Sequence, residues 1–133
     1  EPCQYRLSTA DLSLGILTDL GSITPHVIDN FRHCDSLLLE FNHDEVMLQE
    51  GSYPHHLKQR VGGDWGHLNN LQAADFLQQV GSDLQHLVVA HISEKNNSLE
   101  RAQDAILGAL GSLDSVTFAA QAGGFDWLTL KRG

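Results

Sequence analysis

Two short runs without a polar residue, Leu37-Leu38-Leu39 and Leu87-Val88-Val89-Ala90, constrain this chain more than any other feature. A strand with one face in water alternates apolar and polar side chains. A strand apolar at every position belongs in a sheet covered on both faces, and parallel strands of that kind are joined by helices. Helical spacing does lie between the runs. Val27, Ile28 and Phe31 share a face over 24–33, with Pro25 in the first turn and Ser22 or Thr24 as the cap. Leu71, Ala74, Phe76, Leu77 and Val80 do so over 69–80, before Gly81, and Leu99, Ala102, Ile106 and Leu110 over 98–110, before Gly111. Shorter helices are expected over 43–50 and 54–61, separated by Gly51-Ser52. Strands are expected over 4–8 and 12–18 as an opening hairpin, over 36–41 and 84–92 at the apolar runs, and over 115–120 and 125–131 around a Gly123-Gly124 turn. Strands alternating with helices after a hairpin make an α/β layer structure.

Composition narrows the function classes. Hydrophobic residues are 41% and charged residues 19% of 133, enough for one packed domain over 1–133 and inconsistent with disorder. The apolar runs fall far below the roughly 20 residues that cross a bilayer, so no membrane span is expected. A formal charge of −9 argues against holding nucleic acid by bulk electrostatics, leaving a local site as the route to phosphate chemistry. Two cysteines and no leader point to a cytoplasmic setting, with Cys34 packing as a small hydrophobe. The chain opens on Glu1 and runs directly into strand-like sequence, which reads as a start in mid-protein.

Ligand sites of open α/β sheets gather at the carboxyl ends of strands. Asp19 follows Leu14-Gly15-Ile16-Leu17-Thr18 and His91 follows Leu87-Val88-Val89-Ala90, both at such ends. Carboxylate oxygen and imidazole nitrogen together suit zinc or manganese. Each has a plainer reading: Asp19 as a turn residue bonding nearby N–H groups, His91 as a half-buried histidine with satisfied partners. Among eight histidines, His43, His67 and His91 are the functional candidates, and His26, His33, His55, His56 and His86 read as solvent-facing in helices or loops. His67 precedes a helix start that favours an anion, or else Asn69 caps that helix and His67 is a bystander. Glu40 and Asp44, in Glu40-Phe41-Asn42-His43-Asp44, follow a strand and offer carboxylates to position a histidine for proton transfer. Nucleophile elbows, phosphate loops and dinucleotide fingerprints are absent from the sequence.

The ordered set Thr18-Asp19-Leu20-Gly21, Leu37 to Leu48, Gly51-Ser52-Tyr53-Pro54, Leu57-Lys58-Gln59-Arg60, Gly66-His67-Leu68-Asn69-Asn70 and Ala90 to Asn97 resembles the YycJ/WalJ-like branch of the metallo-β-lactamase-fold hydrolases. The resemblance covers nearly the whole chain and corresponds to the C-terminal half of that αβ/βα sandwich. It implies a parent with two divalent metal ions, zinc or manganese, acting on a phosphodiester substrate, possible substrates including nucleic acid, through a metal-bridging hydroxide. It implies Asp19 as the bridging metal ligand and His91 as the last one. Glu40 and His67 match positions used for proton transfer and phosphate contact, so the implied catalytic set is Asp19, Glu40 and His67. The family motif H-x-H-x-D-H occurs nowhere in the chain, and the further histidine expected just before its start is also missing. Asp19 and His91 alone would hold metal weakly, and the chain alone is expected to be inactive. It is also expected to expose an apolar face that seats the missing half or drives self-association. The competing expectation is a non-catalytic binding or dimerisation module that kept the half-fold.

Overall fold

The computed structural model describes residues 2–133. Strands β1 (Tyr5–Ser8) and β2 (Ser13–Leu17) form the opening hairpin. Then follow α1 (Pro25–Phe31), β3 (Ser36–Glu40), α2 (Glu45–Glu50), α3 (His55–Gly62), α4 (Asn70–Val80), β4 (His86–Ala90), α5 (Leu99–Leu110) and β5 (Val116–Phe118). The caps explain the boundaries. Thr24, Asp44, Asn69 and Ser98 each accept a backbone N–H in the first turn of the helix they start, and Asn69 and Gln72 cap each other reciprocally. Gly111, at φ 76°, ends α5 in the left-handed conformation that glycine adopts without a Cβ clash.

The five strands lie in sequence order, β1 antiparallel to β2 and the rest parallel. This order decides where the helices go. Each crossover from β2 onward moves one place in the same direction, and right-handed crossovers that all step the same way deposit their helices on one face. Accordingly Phe31 of α1, Phe76 and Leu77 of α4, and Ala102 and Ile106 of α5 share one core with Leu17, Leu37, Leu39, Leu87 and Val89. Cys34 is buried in that core, as a small hydrophobe. The opposite face presents Leu14, Ile16, Leu38 and Val88 to a cleft of about 510 Å3 whose other wall is Phe125, Trp127, Leu128 and Leu130. The expectation of a sheet covered by layers on both faces is therefore corrected: helices cover one face and the C-terminal segment borders the other.

Two local readings also change. Residues 125–131 form no strand; Lys131 N–H donates to the Gln85 side chain at 2.7 Å and the Thr129 carbonyl meets His86 Nε2 at 3.0 Å, so side chains anchor this segment in place of a ladder. His86 belongs to β4 and is half-buried, not in a solvent-facing helix or loop. The glycine turn is present, with Gly124 at φ 62° and a bridge between Ala120 and Gly124.

Beyond the carboxyl ends of β3 and β4 the connections are tied to one another. Asn42 N–H bonds Leu68 O at 3.1 Å, Asn70 N–H bonds His43 O at 2.9 Å, and Ser93 N–H bonds Asn42 O at 2.8 Å. Asn70 and Asn97 exchange amide hydrogen bonds at 2.8 Å in each direction, and Asn97 also donates to Phe41 O at 3.0 Å. His43 sits inside this framework, 2% exposed, with Nδ1 3.3 Å from Asn42 Oδ1. Burial first, and then the charge of His67, pushes its pKa down to about 4, against a smaller upward pull from Asp44.

Two outcomes are expected. Phe76→Ala, at a site 1% exposed, lowers unfolding free energy by about 3–5 kcal/mol in chemical denaturation, whereas Trp127→Phe, at a site 100% exposed, stays within about 0.5 kcal/mol. His43 binds a proton in the unfolded chain below pH 6.5 but in the folded chain only near pH 4, so its neutral burial stabilises above 6.5 and is lost as pH falls between those values. The stability difference between parent and His43→Gln therefore changes by about 3 kcal/mol across that window, read from denaturation curves at a series of pH values.

Candidate metal centre

Glu40 is the last residue of β3, on the opposite side of the strand from Leu39, which packs on the helices. Its carboxyl group is 0% exposed. A carboxylate so placed needs partners, since desolvating an unpaired charge costs several kcal/mol. His67 supplies the main one: Nδ1 lies 2.5 Å from Glu40 Oε1. Oε2 accepts the N–H of Leu20 at 3.4 Å, and His91 Nδ1 stands 3.7 Å from Oε1. Glu40 thus joins the connection after β2, the α3–α4 loop and the connection after β4. The hydrogen bond that His67 donates to Glu40, helped by the charges of Glu40 and Asp19 and opposed by burial and by Arg60, raises the His67 pKa above its ordinary value.

Asp19 and His91 flank this pair. Asp19 Oδ1 is 3.5 Å from His67 Nδ1, and both Asp19 and His91 are exposed. Each has a φ of 55°, a left-handed conformation that costs a residue with a Cβ about 1–2 kcal/mol. His33, at φ 58°, shares the conformation but follows α1, where helix ends commonly adopt it. The two strand-end residues have no helix end to account for theirs, and such strain concentrates where side chains are held for use.

Asp19, Glu40 and His67 offer ligand atoms that all lie within 4.8 Å of one another. Oxygen and imidazole donors of this kind fit zinc or manganese. The bond between Glu40 and His67 engages Nδ1 of the imidazole and Oε1 of the carboxylate, and Asp19 and His91 are the exposed donors beside them, one fewer than the three protein ligands of a catalytic zinc. Of the sequence candidates, the structure brings Asp19, Glu40, His67 and His91 together. His43 it buries behind them, and Glu40 turns to His67 and not to His43. Asp44 caps α2 and pairs with Arg101 at 2.9 Å. Of the alternatives at His67, Asn69 does cap α4, yet His67 is no bystander, since it is bonded to the buried Glu40 carboxylate. Sequence reasoning passed over Asn42, whose Nδ2 donates to His91 O at 3.1 Å, and Trp65, exposed on the loop before His67. An aromatic residue between glycines, in Gly63-Asp64-Trp65-Gly66, is the signal that points to it.

Comparison with known proteins bears on the chain as a whole. No family model matches the chain. Over 114 residues it is 33% identical to the exodeoxyribonuclease WalJ of Streptococcus pneumoniae, a match covering 85% of this chain and 42% of that protein. Over 107 residues it is 32% identical to the exodeoxyribonuclease YycJ of Bacillus anthracis, covering 80% and 40%. The chain thus spans less than half the length of these relatives. Among solved structures, the metallo-β-lactamase fold protein YhfI of Bacillus subtilis superposes with a TM-score of 0.62 at 19% identity, over 92% of this chain and 42% of that one. Sequence and fold agree that the chain is a partial, YycJ-like protein of the metallo-β-lactamase fold.

Proposed function

We propose that residues 1–133 are the C-terminal half of a metallo-β-lactamase-like domain, and that the whole domain is a metal-dependent phosphodiesterase acting on nucleic acid. The observation that carries this reading is the buried Glu40 carboxylate with Asp19, His67 and His91 gathered around it from three connections. The match to two exodeoxyribonucleases supports the substrate class. Asp19 and His91 are the proposed metal ligands of this half, and the remaining ligands come from the other half. A divalent ion held by Asp19 and His91 would supply Lewis-acid polarisation and would acidify a water.

The chain's own groups have separate tasks in this proposal. Glu40 accepts a hydrogen bond from His67 Nδ1–H, which orients the ring. The raised His67 pKa favours a protonated imidazole, suited to a phosphate oxygen or to giving a proton to a leaving oxygen. Asn42 holds the His91 backbone, and through it the direction of the His91 ring. The face carrying Leu14, Ile16, Leu38 and Val88 is the proposed seat of the other half, or of a second copy when that half is absent. No helix among the described residues is long and apolar enough to cross a membrane, and the proposed setting is the cytoplasm.

With zinc or manganese as the ion, hydrolysis of a phosphodiester by the full-length protein measures the proposal. Asp19→Ala and His91→Ala are each expected to lower turnover at least about 100-fold with the fold retained, the scale of loss when a metal site or its charge stabilisation is broken. The 133-residue chain alone is expected to show no turnover. Full-length Asp19→Ala within a few-fold of wild type contradicts the assignment.

A further inference from the structure

We propose that Trp65 is a base-stacking residue, and that with Arg60 it receives one base of a single-stranded nucleic acid whose backbone crosses the candidate metal centre. This deepens the phosphodiesterase reading and rests on it for the identity of the substrate. Trp65 is 87% exposed, although its loop is tightly held. Gly66 N–H bonds Gly63 O and His67 N–H bonds Val61 O, each at 2.9 Å. A Cβ on Gly66 would run into the Val61 carbonyl, and one on Gly21 into the backbone of Asp64 and Gly66, so this loop is seated against the Asp19 connection. The indole is therefore displayed from a fixed support, and its apolar surface contributes nothing to the core.

Its surroundings select the ligand. A recess of about 290 Å3 is lined by Asp19, Arg60, Trp65 and His67, among others. A second, of about 330 Å3, is lined by Tyr53, His91, Ser93 and Gln121 and shares Val61 and His67 with the first. Lys95 Nζ lies 5.9 Å from the centre of the Tyr53 ring, and with Tyr53, Ser93, Glu94 and Gln121 it lines a further recess. The two recesses thus adjoin at Val61 and His67, with Arg60 and Trp65 lining the first and Tyr53 the second. An exposed ring beside a cation matches a single strand, which offers base faces next to phosphates; a duplex hides its base faces in the stack. Asp19 lines the first recess and the whole chain carries −9, so phosphate attraction is limited and stacking provides the larger share of binding.

The test is metal-free binding, read by tryptophan emission in a Trp127→Phe background, where Trp65 is the one remaining indole of the two in the sequence. With a chelator present, an eight-residue single-stranded oligothymidylate is expected to quench that emission. In fluorescence anisotropy with a labelled probe, Trp65→Ala is expected to weaken binding about 5- to 100-fold with an unchanged circular dichroism spectrum, and Trp65→Phe to recover most of it. An abasic strand of equal length is expected to bind as weakly to the parent as oligothymidylate binds to Trp65→Ala. Equal affinity of Trp65→Ala and parent, equal affinity for the abasic strand, or no binding of either strand would each overturn the proposal. The hydrolase reading is judged separately, by metal-dependent turnover in Asp19→Ala, so the two fail independently.

Discussion

The buried carboxylate of Glu40 is the interaction on which the carboxyl-end architecture depends. A charge with no exposure at the end of a central strand is tolerable only if paired, and its partner, His67, comes from a loop 27 residues further along the chain. That one requirement brings the α3–α4 loop over the end of β3. The contacts of Glu40 with Leu20 N–H and with His91 then set the connections after β2 and β4 around the same point. An apolar pair of similar volume would often serve stability as well or better, and removing one partner of such a pair costs several kcal/mol. What an apolar pair would not supply is a histidine with a raised pKa beside an exposed aspartate and a second histidine.

Topology sets the wider frame. Because every crossover steps the same way, the helices α1, α4 and α5 share one face and leave the other to the segment carrying Phe125, Trp127, Leu128 and Leu130. In an open sheet of this kind the polar work is done at the strand ends, where backbone groups leave the ladder and side chains escape the pleat. Asp19 and His91 occupy two such ends in the same left-handed conformation, and the amide pair of Asn70 and Asn97 secures the backbone between them. The local scaffold and the display of the candidate ligands are thus two consequences of one strand order.

Much of this was legible in the sequence because it is local. Helical spacing located α1, α4 and α5, glycine breakers bounded α2 and α3, Thr24 and Asn69 acted as the caps their side chains suggest, and unbroken apolar runs marked β3 and β4. Asp19 and His91 stood out because a polar residue directly after an apolar run marks a strand end. Residues 125–131 misled for a physical reason: Phe125 and Trp127, then Leu128 and Leu130, are spaced by two as in a strand, but the segment meets the sheet through Gln85 and His86 side chains and not through a ladder. The partner of Glu40 was illegible. His43, three residues away, was the nearer candidate, and only packing shows that His43 is enclosed and His67 is engaged.

The central claim is that Asp19 and His91 together mark one side of a divalent-ion site. Manganese provides a direct measurement, because its unpaired electrons broaden nuclear resonances within a short distance. On titrating manganese into the chain and recording amide spectra, the account predicts selective broadening at Asp19, His67 and His91, relieved by a chelator and much reduced in Asp19→Ala. Broadening spread over the acidic surface, or confined to residues away from these strand ends, would contradict it.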